Sequence, residues 1–244
     1  SLKPESPVNK ENQRAFLIGN PSYYSKIKGS KVVDLKGTEK EVKQIGNILK
    51  GKKIDFDLFT GKDASEQKVK SVQNPTILHL ATHGFFEENT PEVDNFGLQK
   101  SQTNQNPLLR AGLLLEGAGD LMESDKIDYH TQEGVLTAYE VIDLPLSKTE
   151  LVIISACETG VGQNKVGEGV YGLQRSFMIA GAKTVIFSLF KVDDEATANM
   201  MIAFYQKWAK TGNKREAFRE AQKVIKLKYK SPLYWGAFNM IGMN

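Results

Sequence analysis

The sequence predicts an α/β protein with a mostly parallel sheet and helices on both of its faces. Three observations predict it: short apolar runs bounded by turn residues, amphipathic segments at helical spacing, and regular alternation of the two from residue 14 onward. Ala15 to Ile18 reads as a buried strand that ends at the turn cluster Gly19-Asn20-Pro21. After a polar loop to about Lys36, Val42, Ile45, Ile48 and Leu49 recur at helical spacing, so residues 38–49 read as a helix. Thr38 is the expected N-cap, with Glu41 three residues on completing a capping box. Ile54 to Phe59 alternates as a strand, Ala64 to Val72 is a short polar helix, and Thr76 to Ala81 is an apolar strand after Pro75.

The rhythm then breaks. Phe85 to Arg110 is rich in Glu, Asn, Gln, Thr and Pro, and so long a loop in a compact domain is more often functional than accidental. Gly112 to Glu116 is a strand, Gly119 to Gly134 a polar excursion, and Leu136 to Ile142 an expected helix stopped by Pro145. Leu151 to Ser155 is a second buried strand, and Val170 to Ala180 a helix. Thr184 to Phe190 is a strand, and Glu195 to Lys210 and Arg215 to Lys228 are helices. Tyr234 to Ile241 is expected to add an edge strand.

Composition narrows the classes. The 244 residues are 40% hydrophobic and 25% charged, which suits a well-cored globular protein and excludes a disordered one. Lys+Arg 32 against Asp+Glu 29 leaves +3, a weak field that does not suggest nucleic-acid binding. No apolar run approaches the roughly 20 residues of a membrane-spanning helix, so no membrane partner is expected. The start, SLKPESPVNKENQ, is polar and lacks Met. Residues 1–13 are therefore expected to be a linker cut from a longer chain, and 14–244 one domain. A single cysteine, Cys157, precludes an internal disulfide and points to a reducing, cytoplasmic setting.

Two segments carry the chemistry. Ile77-Leu78-His79-Leu80-Ala81-Thr82-His83-Gly84 and Leu151-Val152-Ile153-Ile154-Ser155-Ala156-Cys157-Glu158 are each an apolar strand that delivers a reactive residue at its carboxyl end. Ligands of open parallel sheets bind beyond those ends. A thiol is a nucleophile only as thiolate, and an imidazole can take its proton and later protonate a leaving amine. His83 and Cys157 are therefore the candidate catalytic pair. Gly84 lets a substrate backbone approach, and the N–H groups of Gly84 and Cys157 are candidate oxyanion donors.

The stretches HLATHGFF, AGLLLEGAG, GVLTAYEVIDLPL, LVIISACETGVG, GEGVYGLQRSFMIAGAKTVIFSLFKVDDEAT and SPLYWGAFNMIG resemble the CHAT domain, a caspase-like domain related to separase and often found after TPR repeats. The resemblance runs from about Phe16 to Gly242. It departs at Phe190, where the family usually has Trp, and in the long stretch between Gly84 and Gly112. It implies a caspase-like α/β/α sandwich and a cysteine endopeptidase with catalytic His83 and Cys157. It implies no metal or organic cofactor, a protein or peptide substrate cut at few sites, and TPR repeats or another regulatory region ahead of this chain. It also suggests a basic P1 residue. Asp194 is then the first candidate for an acidic substrate-binding wall, with Asp193 next to it, while Glu158 could instead orient the substrate or brace the loop. The 85–110 loop is a candidate lid or activation loop.

Plainer readings compete. A lone cysteine is ordinarily an inert small hydrophobe, but Ser155-Ala156-Cys157-Glu158-Thr159-Gly160 is poor core material. His79 and His83, four residues apart on a strand, stand roughly 13 Å apart and cannot share one tetrahedral ion unaided. His79 is therefore expected to be a core or helix-facing histidine, and His130 is assigned no role. Gly167-Glu168-Gly169-Val170-Tyr171-Gly172 matches G-x-G-x-x-G but sits too far past its strand for a dinucleotide site. Asp193-Asp194-Glu195 also suits a helix N-terminus. Two rival functions remain: a non-catalytic interaction module on the same fold, and a thiol redox or acyl-transfer enzyme, for which no resolving cysteine or clear cofactor site is present.

Overall fold

The apolar runs become strands whose order builds one end of the molecule into a candidate site. The structure, a computed structural model, describes residues 13–24, 32–86, 106–122, 134–158, 168–190 and 192–243. Most of the 85–110 loop, His130 and nearly all of the expected N-terminal linker lie outside the described residues.

In chain order the elements begin with β1 (Arg14–Pro21), α1 (Lys36–Gly51), β2 (Asp55–Gly61), α2 (Glu66–Lys70), β3 (Ile77–Ala81) and β4 (His83–Phe86). The middle of the chain adds β5 (Ala111–Leu114), α3 (Ala118–Met122), β6 (Val135–Thr137), α4 (Ala138–Val141), β7 (Leu151–Ile154) and β8 (Cys157–Glu158). Last come α5 (Glu168–Ile179), β9 (Thr184–Ser188), α6 (Asp194–Thr211), α7 (Lys214–Lys228) and β10 (Phe238–Gly242).

Six strands form the main sheet in the order β10-β9-β7-β3-β1-β2. All neighbours are parallel except β10, an antiparallel edge on β9. The expected mostly parallel α/β/α sandwich is borne out. Side chains alternate along a strand, and β3 shows how that fills two cores. Ile77 and Ala81 pack with Val42 and Ile45 of α1, Met200 and Phe204 of α6, and Phe218 of α7. Leu78 and Leu80 pack on the other face with Val69 of α2, Val141 of α4 and Phe177 of α5. Each fully buried apolar side chain of this size contributes about 1.5–3 kcal/mol.

A second sheet, ordered β6-β5-β4-β8, grows from the same two strands that carry the reactive residues. The His83 and Cys157 segments do not simply end their strands. The chain leaves the main ladder at Thr82 and at Ser155-Ala156, then resumes pairing as β4 and β8.

Two local expectations need correction. Thr38 does not cap a helix: α1 starts at Lys36 behind Leu35, which makes no side-chain cap. The Thr38 hydroxyl instead accepts from Asn20 N (2.9 Å) and donates to Leu35 O (2.7 Å), tying the helix to the end of β1. Glu41 points into the core. The expected helix at 136–142 is split: Val135–Thr137 pair with β5 as β6, because ladder pairing outweighs helix propensity there. Thr137 then caps α4 in a true capping box with Glu140, accepting from Glu140 N (3.2 Å) while Glu140 Oε2 accepts from Thr137 N (2.9 Å).

Gly112 lets β5 lie tight between β4 and β6. A Cβ there would collide with Leu136 O and come within 2.7 Å of the Phe85 ring. Gly112→Ala is expected to cost about 1–3 kcal/mol through this overpacking, read as a lowered Tm in thermal unfolding.

Candidate active site

His83 and Cys157 are direct partners across parallel strands, followed by Gly84 opposite Glu158. Adjacent strands lie about 4.8 Å apart. The pairing continues the register of the main sheet, where Ile77 faces Leu151 and Leu80 faces Ile154. Between the two sheets, Ser155 N donates to Leu80 O at 2.9 Å, so the strands stay in step across the break. Residues 74 apart in sequence thus remain partners from Ile77–Leu151 through His83–Cys157.

His83 is 9% exposed and held on several sides. Its Nε2 lies 2.7 Å from the Val33 carbonyl oxygen. A carbonyl only accepts, so Nε2 carries a proton, and Nδ1 is the basic nitrogen of the neutral ring. The Tyr23 ring packs beside the imidazole, centroids 5.2 Å apart. The Tyr23 oxygen accepts from His83 N–H at 3.4 Å and lies 3.0 Å from Thr82 Oγ1. Thr82 spends its own proton on Leu114 O. The order of donation is therefore fixed: His83 N–H to Tyr23, Tyr23 O–H to Thr82, Thr82 O–H to Leu114. Burial, the largest influence, pushes the Tyr23 phenol up and keeps its proton in place. Next in sequence, Tyr24 OH accepts from Val32 N at 2.8 Å and so holds the segment that presents the Val33 carbonyl. Gly119 makes room for this pair, since a Cβ there would meet the Tyr24 ring at 2.6 Å.

Tyr23, Tyr24, Thr82 and Val33 escape a reading of the sequence. Val33 acts through its backbone, which no side-chain pattern reveals. The one available signal is Tyr23-Tyr24 in a loop just past the end of a buried strand.

The other candidates fall in two places, beside the pair in β4 and β8 and at the start of α6. Gly84 stands in β4 between β5 and β8. Its φ is not in the left-handed region, and an added Cβ would meet Gly112 O at 3.6 Å and Ala156 Cβ at 3.7 Å, both ordinary contacts. Glu158 is the cross-strand partner of Gly84. Asp193 is the N-cap of α6, its Oδ1 accepting from Ala196 N at 3.0 Å. Asp194 opens α6 and packs against the start of α1, where a Cβ on Gly37 would lie 3.0 Å from Asp194 Cβ. The charges of Asp34 and Asp194 add, as the smallest influences, to the upward push on the Tyr23 phenol.

His79 is fully buried, as expected of a helix-facing histidine. Its Nε2 lies 2.9 Å from Glu41 Oε1 and its Nδ1 3.3 Å from Tyr205 OH. Gly169 and Gly172 fall inside α5, where no strand-to-helix phosphate turn exists, and Gly167 lies outside the described residues.

The CHAT domain family model matches residues 1–243. Among curated proteins, Tetratricopeptide repeat protein 28 of Homo sapiens is 27% identical over 237 residues and its Mus musculus counterpart 25%. The alignments cover 93% of this chain but only 9% of those proteins. Among solved structures, the Arg-specific cysteine proteinase gingipain R superposes with a TM-score of 0.54 at 9% identity, covering 94% of this chain and 46% of that one. A complex of Porphyromonas gingivalis RgpB pro- and mature domains gives 0.54 at 11%, covering 94% and 47%.

Tyr23→Phe removes the link between His83 and Thr82. A loss of about 0.5–1.5 kcal/mol in thermal unfolding is expected, with a shift of the His83 imidazole resonances in NMR that His79 does not show.

Proposed function

Because the chain belongs to the CHAT domain family, we propose that it is a cysteine peptidase that uses His83 and Cys157 as its dyad. The observation that carries the reading is the direct cross-strand pairing of these two residues. In the proposed mechanism His83 Nδ1 takes the Cys157 proton, and the thiolate attacks the scissile carbonyl. The Val33 carbonyl, already accepting from Nε2–H, holds the ring in the required tautomer and stabilises the imidazolium that forms. The N–H groups of Gly84 and Cys157 are the proposed oxyanion donors. His83 then protonates the leaving amine, and water hydrolyses the thioester.

Gly84 supports this reading in a second way. Neither backbone strain nor internal packing calls for glycine there. Space for a substrate backbone does.

For specificity we favour a basic P1 side chain facing Asp194. Asp194, at the first position of α6, is the first candidate, with Asp193 beside it at the helix cap. Glu158, opposite Gly84, is a further candidate. The expected substrate is a protein cut at few sites, with TPR repeats elsewhere in the full-length protein to dock it or gate the enzyme. The relatives' name supports that arrangement.

A P1-Arg/Lys peptide library and a thiol-reactive peptide probe test the proposal. Wild type is expected to cleave and label, while Cys157→Ala does neither and His83→Ala does not cleave. Absence of both activities in wild type would favour the interaction-module reading. Asp194→Asn is expected to raise KM for basic P1 peptides selectively. Gly84→Ala is expected to keep the wild-type Tm yet lose at least about tenfold in kcat/KM, because a displaced scissile bond is costly.

A further inference from the structure

A carboxylate lies buried where α1 and α6 pack on the main sheet, near the strand ends that carry the proposed dyad. Glu41 of α1 is 0% exposed in a face otherwise filled by Val42, Ile45, Ile153, Met200 and Phe204. A carboxyl in such a place is costly unless each oxygen is satisfied. Here each oxygen holds a different strand. Oε1 takes the His79 Nε2–H on β3 at 2.9 Å, and Oε2 accepts from Ser155 Oγ at 3.2 Å. Tyr205 of α6 closes the far side at His79 Nδ1.

The positions of the two partners give this its meaning. His79 lies four residues before His83 on one strand. Ser155 lies two residues before Cys157 on the other, at the break between the two sheets. One carboxylate therefore clamps the two segments that deliver the proposed base and nucleophile. The same helix is preceded by Val33, whose carbonyl holds the His83 ring. Of its two partners, His79 is paired within the main ladder, whereas Ser155 lies at the break, where the backbone has left one ladder and not yet joined the next. Within the ladder itself, hydrogen bonds and apolar packing already fix both strands.

Building on the proposed peptidase chemistry, we infer that Glu41 is a positioning residue that acts through His79 and Ser155 to fix Cys157 against His83. It touches neither the substrate nor the reacting atoms.

The test measures peptide cleavage and, separately, the rate and pH dependence of Cys157 alkylation by iodoacetamide. It compares wild type, Ser155→Ala, Glu41→Gln and the control Ile45→Ala, which destabilises the same helix and removes no hydrogen-bonding group from the network. Ser155→Ala removes one hydroxyl and tests the clamp even where Glu41→Gln fails to fold. The expected result is a fall of about tenfold to a hundredfold in kcat and alkylation rate for Ser155→Ala, with KM within twofold and a displaced alkylation pH midpoint. Ile45→Ala, at a similar or greater loss of Tm, keeps the wild-type rate and midpoint. Wild-type alkylation kinetics in Ser155→Ala would overturn the inference, as would equal losses in Ser155→Ala and Ile45→Ala. If wild type cleaves no peptide while Ser155→Ala still slows alkylation, the peptidase reading falls and the positioning role stands.

Discussion

The site depends on one constraint: β3 and β7 are parallel neighbours, and their register survives the break into the second sheet. Parallel pairing fixes which residues face each other, and a slip of one position would turn every side chain to the other face. In the main sheet such a slip is resisted by alternation, since Leu78 and Leu80 belong to one core and Ile77 and Ala81 to the other. The two-residue strand Cys157–Glu158 has no such protection of its own. It inherits its register from Leu151–Ile154 through the bond from Ser155 N to Leu80 O. The placement of residues 83 and 157 is thus set by hydrophobic burial several residues upstream.

Polar groups add what burial does not. Apolar packing fixes strand order and face, but it leaves the orientation of an imidazole undetermined. Around His83 that is settled by groups with one-way hydrogen-bonding capacity. A carbonyl fixes the protonated nitrogen, and a phenol whose proton is committed to Thr82 offers its oxygen to the backbone N–H. Both supports come from chain lying between β1 and α1. The connection that carries Tyr23 and Val33 is therefore part of the site, not a mere link between elements.

This division explains what the sequence reveals. The strands that carry His83 and Cys157 are legible because they are uninterrupted apolar runs that end in polar, reactive residues. The parallel sheet is legible because helices alternate with those runs. The support of His83 is not legible, since one group is a backbone carbonyl and the others are ordinary loop and strand residues. Glu41 is an instructive miss. On the buried stripe of α1, with Thr38, Val42, Ile45 and Leu49, it is a charge on an apolar face. A capping-box pattern also fits it, and that local pattern hides the tertiary one. Likewise Leu136–Ile142 has helical periodicity, but its first residues pair with β5, a choice made by neighbours distant in sequence.

The likeness to gingipain R is a likeness of fold, and at so low an identity the fold carries no assignment of chemistry by itself. The same sheet could serve as a scaffold for protein contacts. Support for catalysis comes instead from features a scaffold would not need. A scaffold has no use for a histidine fixed in one tautomer, or for the pairing of that histidine with the chain's single cysteine. Nor does it need a glycine where a methyl group would fit without strain. Together they occupy one end of one sheet, on adjacent strands and adjacent positions, and the proposed thiol acyl transfer would account for all three.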